Sequence, residues 1–349
     1  MAAPSFLARW NLDPYILAIF GTVGLASVLP ASGEGAVVAG HVTQGVIALL
    51  FFLYGSRLSR EAVVAGVTHW RLQLLVFVSS FVLFPLLGLG LGWLVRGLLA
   101  PPLVLGLIFL SMLPSTIQSS IAFTSIGRGN VPAAVCSASL SNLLGIVITP
   151  LLVGLVLSVG GRGFSLHAVW DITRQLFVPF LAGQLLRPWL GEWMSRNRRV
   201  LGLVDRGSIL LVVYTAFYES VDRGLWHQIG VGSLLALLGL AALLLAAVLA
   251  STTWLSRRLG FSTQDEVSIV FCGSKKSLAS GLPMANILFA GSSVGLIVLP
   301  LMLFHQIQLM ACAVLAQRYA RRSAATAAQC VQAGSDVVPA AAAAGPAQP

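Results

Sequence analysis

Two adjacent lysines, Lys275 and Lys276, lie inside a long apolar stretch near the C-terminal end of the chain. A lysine at bilayer depth costs roughly 3 kcal/mol or more, so an ionisable residue there is a candidate for a functional site. Gly273, Gly281 and Pro283 weaken a helix in the same stretch. Interrupted backbone is tolerated at membrane depth where it is buried in protein or lines a cavity. The pattern predicts a broken helix that carries a cationic site for an anion.

Small polar residues accompany both this interruption and an earlier one beside Pro114. Their hydroxyl and amide groups are able to donate to a carboxylate or sulfonate, and to accept from a lysine. The alternative role is hydrogen bonding between helices, which is common for serine and threonine in membranes. We predict that a substrate site contains Ser274 and Ser277 beside the lysines, and Ser115, Thr116, Gln118, Ser119 and Ser120 at the earlier break.

The lysines have an alternative role as well, because their ammonium groups could satisfy carbonyl groups freed at the helix break. Asn142, which follows Ser137, Ser139 and Ser141, is a further candidate for the substrate site, although serines in such segments usually serve packing. His305 and Gln308 share one helix face and are candidates for a proton relay or for ordinary packing.

Acidic residues are expected only near the ends of the apolar segments, where Glu219, Asp265 and Glu266 are predicted to be solvated. Coupling to a proton would therefore run through one of the lysines or through His305. The pattern predicts no resident cofactor and no metal centre, and the candidate coupling ions are Na⁺ and H⁺. A Ser–Lys nucleophilic pair is a remote alternative, and we predict that the protein is not an enzyme.

The composition excludes a soluble protein. Of the 349 residues, 57% are hydrophobic and only 9% are charged, with a mean hydropathy of +0.90, whereas soluble domains carry about 25% charged residues. The net charge of +10 comes from basic residues between apolar runs, which favours a membrane topology over a nucleic-acid partner. The four cysteines show no ligand spacing and are predicted to be small buried or tail residues.

Apolar segments of spanning length recur along the chain and predict an all-α membrane protein with ten transmembrane helices. The predicted spans are residues 14–30, 38–57, 71–97, 102–127, 131–159, 174–191, 207–221, 232–256, 265–290 and 293–317. Residues 321–349 are rich in alanine, proline and glutamine and are predicted to form a disordered cytoplasmic tail.

Loop charges predict the orientation. With both termini in the cytoplasm, most arginines fall in cytoplasmic loops, and the outer loops hold only Arg96, Arg162, Arg174 and Arg223. The expected location is a bacterial inner membrane.

The two interruptions occupy the fourth span of each half, residues 14–159 and 174–317. Five spans per half is an odd number, so the halves must have opposite topology. Paired interrupted helices in inverted repeats indicate the central binding site of a transporter.

Several motifs also resemble a known family. These are Phe271-Cys272-Gly273-Ser274-Lys275-Lys276-Ser277-Leu278, Gly281-Leu282-Pro283-Met284, Arg128-Gly129-Asn130-Val131 and Phe304-His305-Gln306-Ile307-Gln308. From about residue 12 to 319 the chain resembles the bile acid:sodium symporter (SBF-like) superfamily. It is most similar to the bacterial branch of predicted symporters related to the orphan, calcium-linked animal member.

The resemblance implies two inverted five-helix repeats, in which a panel of spans 1, 2, 6 and 7 packs against a core where broken spans 4 and 9 cross. It implies a symporter of small organic anions that works by alternating access, or alternatively a non-transporting regulator of calcium homeostasis. Sodium-coupled relatives carry an acidic residue and a glutamine where this chain has Phe271 and Lys275, and an asparagine where it has Ile121. The family's sodium sites therefore do not transfer to this sequence. The oligomeric state is not predicted.

Overall fold

The computed structural model describes residues 14–29, 34–57, 69–159, 166–222, 230–290 and 293–335. Several elements of the sequence predictions lie outside these ranges, namely Arg9, Arg60, Arg162, Arg223 and residues 336–349 of the predicted tail.

Helices account for nearly all of the described residues, and no β-strand occurs among them. In chain order they are α1 (Pro14–Val28), α2 (Glu34–Arg57), α3 (Trp70–Leu94), α4 (Pro101–Met112), α5 (Gln118–Ile126), α6 (Val131–Val159), α7 (Leu166–Arg196), α8 (Arg198–Asp222), α9 (Val231–Arg258), α10 (Thr263–Gly273), α11 (Leu278–Leu288) and α12 (Val294–Ser335). Within the described ranges, α2, α3, α6, α8, α9 and α12 each contain a stretch long and apolar enough to cross a membrane. The protein is therefore an all-α, multi-pass membrane protein, and the count of ten spans stays a prediction.

Both predicted helix interruptions are present, and each has a local cause. α4 ends at Met112 because Leu113 precedes Pro114 and is extended, with φ −73° and ψ 155°, as residues before proline prefer. α10 ends at Gly273. After four non-helical residues, α11 begins with Ser277 as its N-cap, whose hydroxyl accepts from the backbone N–H of Ser280 at 3.1 Å.

The last helix is longer than the sequence predicted. α12 continues to Ser335, so the disordered tail predicted from residue 321 onward is wrong for residues 321–335. This part of the chain is rich in alanine, the strongest helix former. Composition alone suggested disorder because large apolar residues are scarce there, but propensity can extend a helix that is already nucleated.

α1, α2, α7 and α8 pack on one another and are called here the four-helix group. The closest approach is between α2 and α7, where glycines allow backbones to touch. A Cβ atom added to Gly55 would lie 1.9 Å from the carbonyl oxygen of Phe180, and one added to Gly183 would lie 2.0 Å from that of Phe52. Only glycine fits at these two positions.

The remaining helices form a second group around the two interruptions. α4 packs along α12, and α10 contacts α5, α6 and α9. The main hydrophobic core extends through both groups. The two broken helices thereby lie among several other helices, and their non-helical residues are buried except for Ile117, which is 37% exposed.

Candidate functional site

The two helix interruptions are in direct contact. The backbone N–H of Ser277 donates to the carbonyl oxygen of Pro114 at 2.9 Å. The hydroxyl of Ser120, in the first turn of α5, donates to the carbonyl oxygen of Phe271 near the end of α10 at 3.1 Å. Backbone groups that each break leaves without a helical partner are thus satisfied by the other break.

Lys276 is fully buried and its ammonium group joins three elements. Nζ donates to the carbonyl oxygen of Leu113 at 2.7 Å, at the end of α4, and to that of Ser80 at 2.8 Å, in the middle of α3. It also lies 4.1 Å from the ring centroid of Phe84, a favourable cation–π distance. Of the two roles considered for this lysine, the structure places it in contact with carbonyl groups freed at helix breaks.

The carbonyl group of Ser80 is available because of a defect in α3. Residues Ser79–Leu83 form a π-helical turn, in which the N–H of Phe84 donates to the carbonyl oxygen of Ser79. In the same pattern the carbonyl of Ser80 would pair with residue 85, but Pro85 has no N–H. Lys276 therefore supplies the donor that this carbonyl lacks. π-Helical turns frequently occur at functional sites.

Gln308 holds the backbone of Lys276 from the opposite side. The N–H of Lys276 donates to Oε1 of Gln308, and Nε2 of Gln308 donates to the carbonyl oxygen of Lys276, both at 2.9 Å. The same Nε2 lies 2.8 Å from Nδ1 of His305. His305 and Gln308 share one helix face, as the spacing predicted, and Gln308 is fully buried. The side-chain amide of Gln308 thus makes the two hydrogen bonds that the backbone of Lys276 would make with other backbone groups in a continuous helix.

Lys275 has a different environment, although it is also fully buried. Its ammonium group has no hydrogen-bond partner among the described residues. It lies 3.9 Å from the ring centroid of Phe123 and 5.5 Å from that of Phe271. Cys312, buried in the same cluster as Phe271, lies on this side of the break. Lys275 thus lies against aromatic faces and, within the described part of the chain, makes no hydrogen bond.

A chain of small polar groups extends from the breaks toward α6. The hydroxyl of Ser280 donates to Oδ1 of Asn142 at 2.8 Å, and Nδ2 of Asn142 donates to the carbonyl oxygen of Ser115 at 2.6 Å. Asn142 therefore touches both interruptions, which supports its inclusion in the predicted site. From the four-helix group, the hydroxyl of Tyr54 reaches the carbonyl oxygen of Ala279 at 3.4 Å, which lacks a helical donor because Pro283 has no N–H.

A cavity of about 830 Å³ lies between the four-helix group and the helices around the breaks. Six of the predicted site residues line it: Thr116, Gln118, Ser119, Asn142, Ser277 and His305. The other six do not line it and are buried: Ser115, Ser120, Ser274, Lys275, Lys276 and Gln308. The structure brings all twelve to the region of the two breaks, with one half facing the cavity and the other half behind its wall.

The cavity also has basic residues that we did not predict as part of a site. Arg57, Arg199 and Arg206 line it, and all three are exposed. Asp205 forms an ion pair with Arg57, and Arg206 lies 5.4 Å from the ring centroid of a tyrosine on α1. In the sequence analysis these arginines served only to predict the orientation of the protein in the membrane. Arginines at helix ends are expected in any membrane protein, so nothing in the sequence indicated that these three line a cavity.

The start of α10 corrects one prediction. Glu266 was expected to be solvated but is only 5% exposed. Its carboxylate accepts two hydrogen bonds from Arg257, both at 2.9 Å, and one from the hydroxyl of Tyr319 at 2.8 Å. Asp265 accepts from Nδ2 of Asn130 at 2.9 Å, so the Arg-Gly-Asn-Val motif anchors the second broken helix. The side chain of Glu219 lies outside the described part of the structure.

The predicted burial of the cysteines is confirmed for Cys136, Cys272 and Cys312, which are free and buried. The side chain of Cys330 lies outside the described part of the structure.

Known proteins resemble the chain over most of its length. It is 60% identical over 323 residues to an uncharacterized protein of Pseudomonas aeruginosa, covering 92% of this chain and 96% of that protein. It is 54% identical over 312 residues to the Escherichia coli (strain K12) protein named "Putative symporter YfeH", covering 89% and 94%. It is 29% identical over 318 residues to the protein of Rattus norvegicus named "Sodium/bile acid cotransporter 7", covering 87% and 91%.

The resemblance noted from the sequence motifs is confirmed by these relatives and by a family match over residues 13–321. Those residues include both interruptions, the cavity and the anchoring motif. The chain therefore belongs to the SBF-like CPA transporter family.

Proposed function

We propose that this membrane transporter moves small organic anions by alternating access. The observation that carries the proposal is the cavity of about 830 Å³ between the two helix groups, with residues of both interruptions in its wall. Transporter binding sites typically lie at such paired interruptions. A site between two groups of helices can be exposed to either side of the membrane by movement of one group against the other.

The charge around the cavity supports an anionic substrate. Residues of the first turns of α5 and α11 line it, and the N-terminus of a helix carries a partial positive charge that favours anions. Arg57, Arg199 and Arg206 add full positive charge to the lining, where Asp205 supplies the one carboxylate among the described residues. Hydroxyl and amide groups of the lining are suited to orient a carboxylate or sulfonate.

The apolar part of the lining supports an organic rather than an inorganic ion. Phe51, Leu143, Ile146, Phe180 and Met284 face the cavity together with the polar groups. Ligand sites of this size usually combine an apolar wall with a few placed polar groups. An amphipathic anion matches that combination.

The architecture that we propose is ten spans in two inverted repeats, with the four-helix group as the panel and the other helices as the core. The equivalent positions of the two interruptions, α4–α5 and α10–α11, support the repeat. The positive-inside pattern supports a location in a bacterial inner membrane with both termini in the cytoplasm.

For coupling, we propose that transport does not require Na⁺. Unwound carbonyl groups at helix breaks are the usual ligands of a coupling Na⁺ in transporters. Here the carbonyl oxygens of Leu113 and Ser80 are occupied by the ammonium group of Lys276, and a nearby ammonium repels a second cation. A proton carried by Lys275, Lys276 or His305 is the alternative coupling ion.

The test is transport by the purified protein in proteoliposomes, with a panel of radiolabelled organic anions and their neutral analogues. We expect uptake of an anion but not of its neutral analogue, unchanged when Na⁺ is replaced by K⁺. Arg206→Gln should reduce uptake severalfold, while Arg196→Gln, an exposed control outside the cavity, should not. Absence of anion uptake, or equal effects of the two substitutions, would contradict the substrate assignment. A strict requirement for Na⁺ would contradict the coupling assignment alone.

A further inference from the structure

A second cavity lies on the outer surface of the protein, in a groove between α9 and α12, with a volume of about 780 Å³. Its walls are apolar along most of its length: Leu249, Ala250, Ala311, Val314 and Leu315. At one end it is lined by Arg257, Arg258 and Arg318, and beside them lies Trp254, which is 59% exposed. No motif from the sequence and no part of the proposed transport site involves this groove.

The arginines at this end carry more positive charge than the protein neutralises. Arg257 is bound by Glu266. Arg258 lies 5.6 Å from the ring centroid of Trp254. Within the described residues, no carboxylate forms an ion pair with Arg258 or Arg318. Two guanidinium groups are therefore available to an anion from outside.

The groove matches the polarity of one phospholipid molecule at a membrane surface, because its basic end suits the headgroup and its apolar walls suit an acyl chain. Both of its helices contain membrane-spanning stretches, Val231–Arg258 in α9 and Val294–Ser323 in α12. The arginines come at or close to the ends of these stretches, where lipid headgroups are expected. An exposed tryptophan at the same level is typical of the membrane interface. The apolar walls continue from there toward the hydrocarbon region.

We propose that this groove is a binding site for one anionic phospholipid. Its phosphate group is held by Arg258 and Arg318, and an acyl chain lies against the wall formed by α9 and α12. Arginine recognises phosphate oxygens through paired N–H donors, more specifically than a point charge does. The acyl chain distinguishes this site from one for free phosphate, because an apolar wall contributes nothing to binding of an inorganic ion.

The bound lipid would also lie beside the junction that anchors the second broken helix. Arg257 belongs both to the groove and to the Glu266–Tyr319 network at the start of α10. An anion next to Arg257 adds an interaction across α9 and α12 at this junction. We therefore expect the lipid to stabilise the folded protein.

The experiment is native mass spectrometry and thermal unfolding of the full chain, purified in detergent and titrated with dioleoyl-phosphatidylglycerol. Expected results are one tightly retained lipid and a higher unfolding temperature, with no such effect from dioleoyl-phosphatidylcholine or inorganic phosphate. The double substitution Arg258→Gln/Arg318→Gln should weaken binding by roughly fivefold for each arginine removed, from the usual contribution of one basic residue near an anionic membrane surface. Arg96→Gln/Arg196→Gln removes the same charge from exposed positions elsewhere and should leave binding unchanged.

A second variant tests the acyl-chain part of the site without altering the arginines. Ala250 is exposed in the groove wall, and Ala250→Trp should fill the space and weaken phosphatidylglycerol binding severalfold. The proposal is overturned if phosphatidylcholine binds equally well, or if both double substitutions weaken binding to the same degree. It is also overturned if inorganic phosphate alone reproduces the stabilisation, or if Ala250→Trp has no effect on a folded protein.

Discussion

Substituting the two adjacent lysines separately should give different effects on the free energy of unfolding. Lys276→Met keeps the length of the side chain but removes the donor to the carbonyl oxygens of Leu113 and Ser80, which lie 2.7 and 2.8 Å from Nζ. Both carbonyl groups are far from water, since Lys276 itself is 0% exposed. The substitution leaves two buried acceptors without a partner.

The expected magnitude follows from these contacts. A buried polar group left unsatisfied costs about 1–3 kcal/mol, so two carbonyls cost roughly 2–6 kcal/mol. Removing a buried ammonium returns part of its desolvation penalty. We therefore expect Lys276→Met to lower the free energy of unfolding by about 2–4 kcal/mol.

Lys275→Met is the matched control. Lys275 is equally buried but makes no hydrogen bond with a described residue, and its ammonium group lies against the rings of Phe123 and Phe271. Cation–π contacts contribute about 0.5–2 kcal/mol, less than the several kcal/mol that burying an ion costs. The substitution should therefore leave the free energy of unfolding unchanged or raise it by up to about 2 kcal/mol.

The measurement is reversible unfolding in mixed micelles, followed by tryptophan fluorescence, for the original protein and both variants. The reasoning is refuted if the two substitutions destabilise the protein equally, or if Lys276→Met has no effect. Either result would mean that the carbonyl contacts of Lys276 do not hold the break together.

Two further predictions concern the packing of the breaks and of the four-helix group. Gln308→Leu removes both hydrogen bonds to the backbone of Lys276 and should lower the free energy of unfolding by roughly 2–4 kcal/mol. Gln264→Leu, at an exposed position in the first turn of α10, should leave the free energy of unfolding unchanged in the same titration, and equal losses for the two variants would contradict this. Gly55→Ala places a Cβ 1.9 Å from the carbonyl oxygen of Phe180 and should lower the thermal unfolding midpoint by forcing α2 and α7 apart. Gly45→Ala, in the same helix, should not change the midpoint because nothing lies within 4 Å of the added Cβ. Similar midpoints for the two variants would contradict the prediction that only glycine fits between α2 and α7 at position 55.

The sequence alone determined the class of the protein, the positions of most helices and the positions of the two interruptions, but not the continuation of α12 to Ser335. Each of these depends on local chemistry. Apolar composition requires a membrane, and α4 and α10 end beside Pro114 and at Gly273. Proline alone does not decide where a helix ends, since Pro150, Pro179, Pro188, Pro283 and Pro300 lie inside helices. Proximity of the polar residues around the two breaks was also predictable, because the interrupted segments occupy equivalent places in the two halves.

Only the tertiary structure decided what each of those residues does. Lys275 and Lys276 are neighbours with the same side chain, yet one faces aromatic rings and the other binds carbonyl groups of Ser80 and Leu113, which are 196 and 163 residues distant in the chain. The burial of Glu266 depends likewise on Tyr319, 53 residues away. The cavity itself belongs to no segment, since its wall is assembled from two groups of helices. These roles depend on the partners that tertiary packing brings close. The local sequence does not indicate which distant carbonyl group, ring or carboxylate the partner will be.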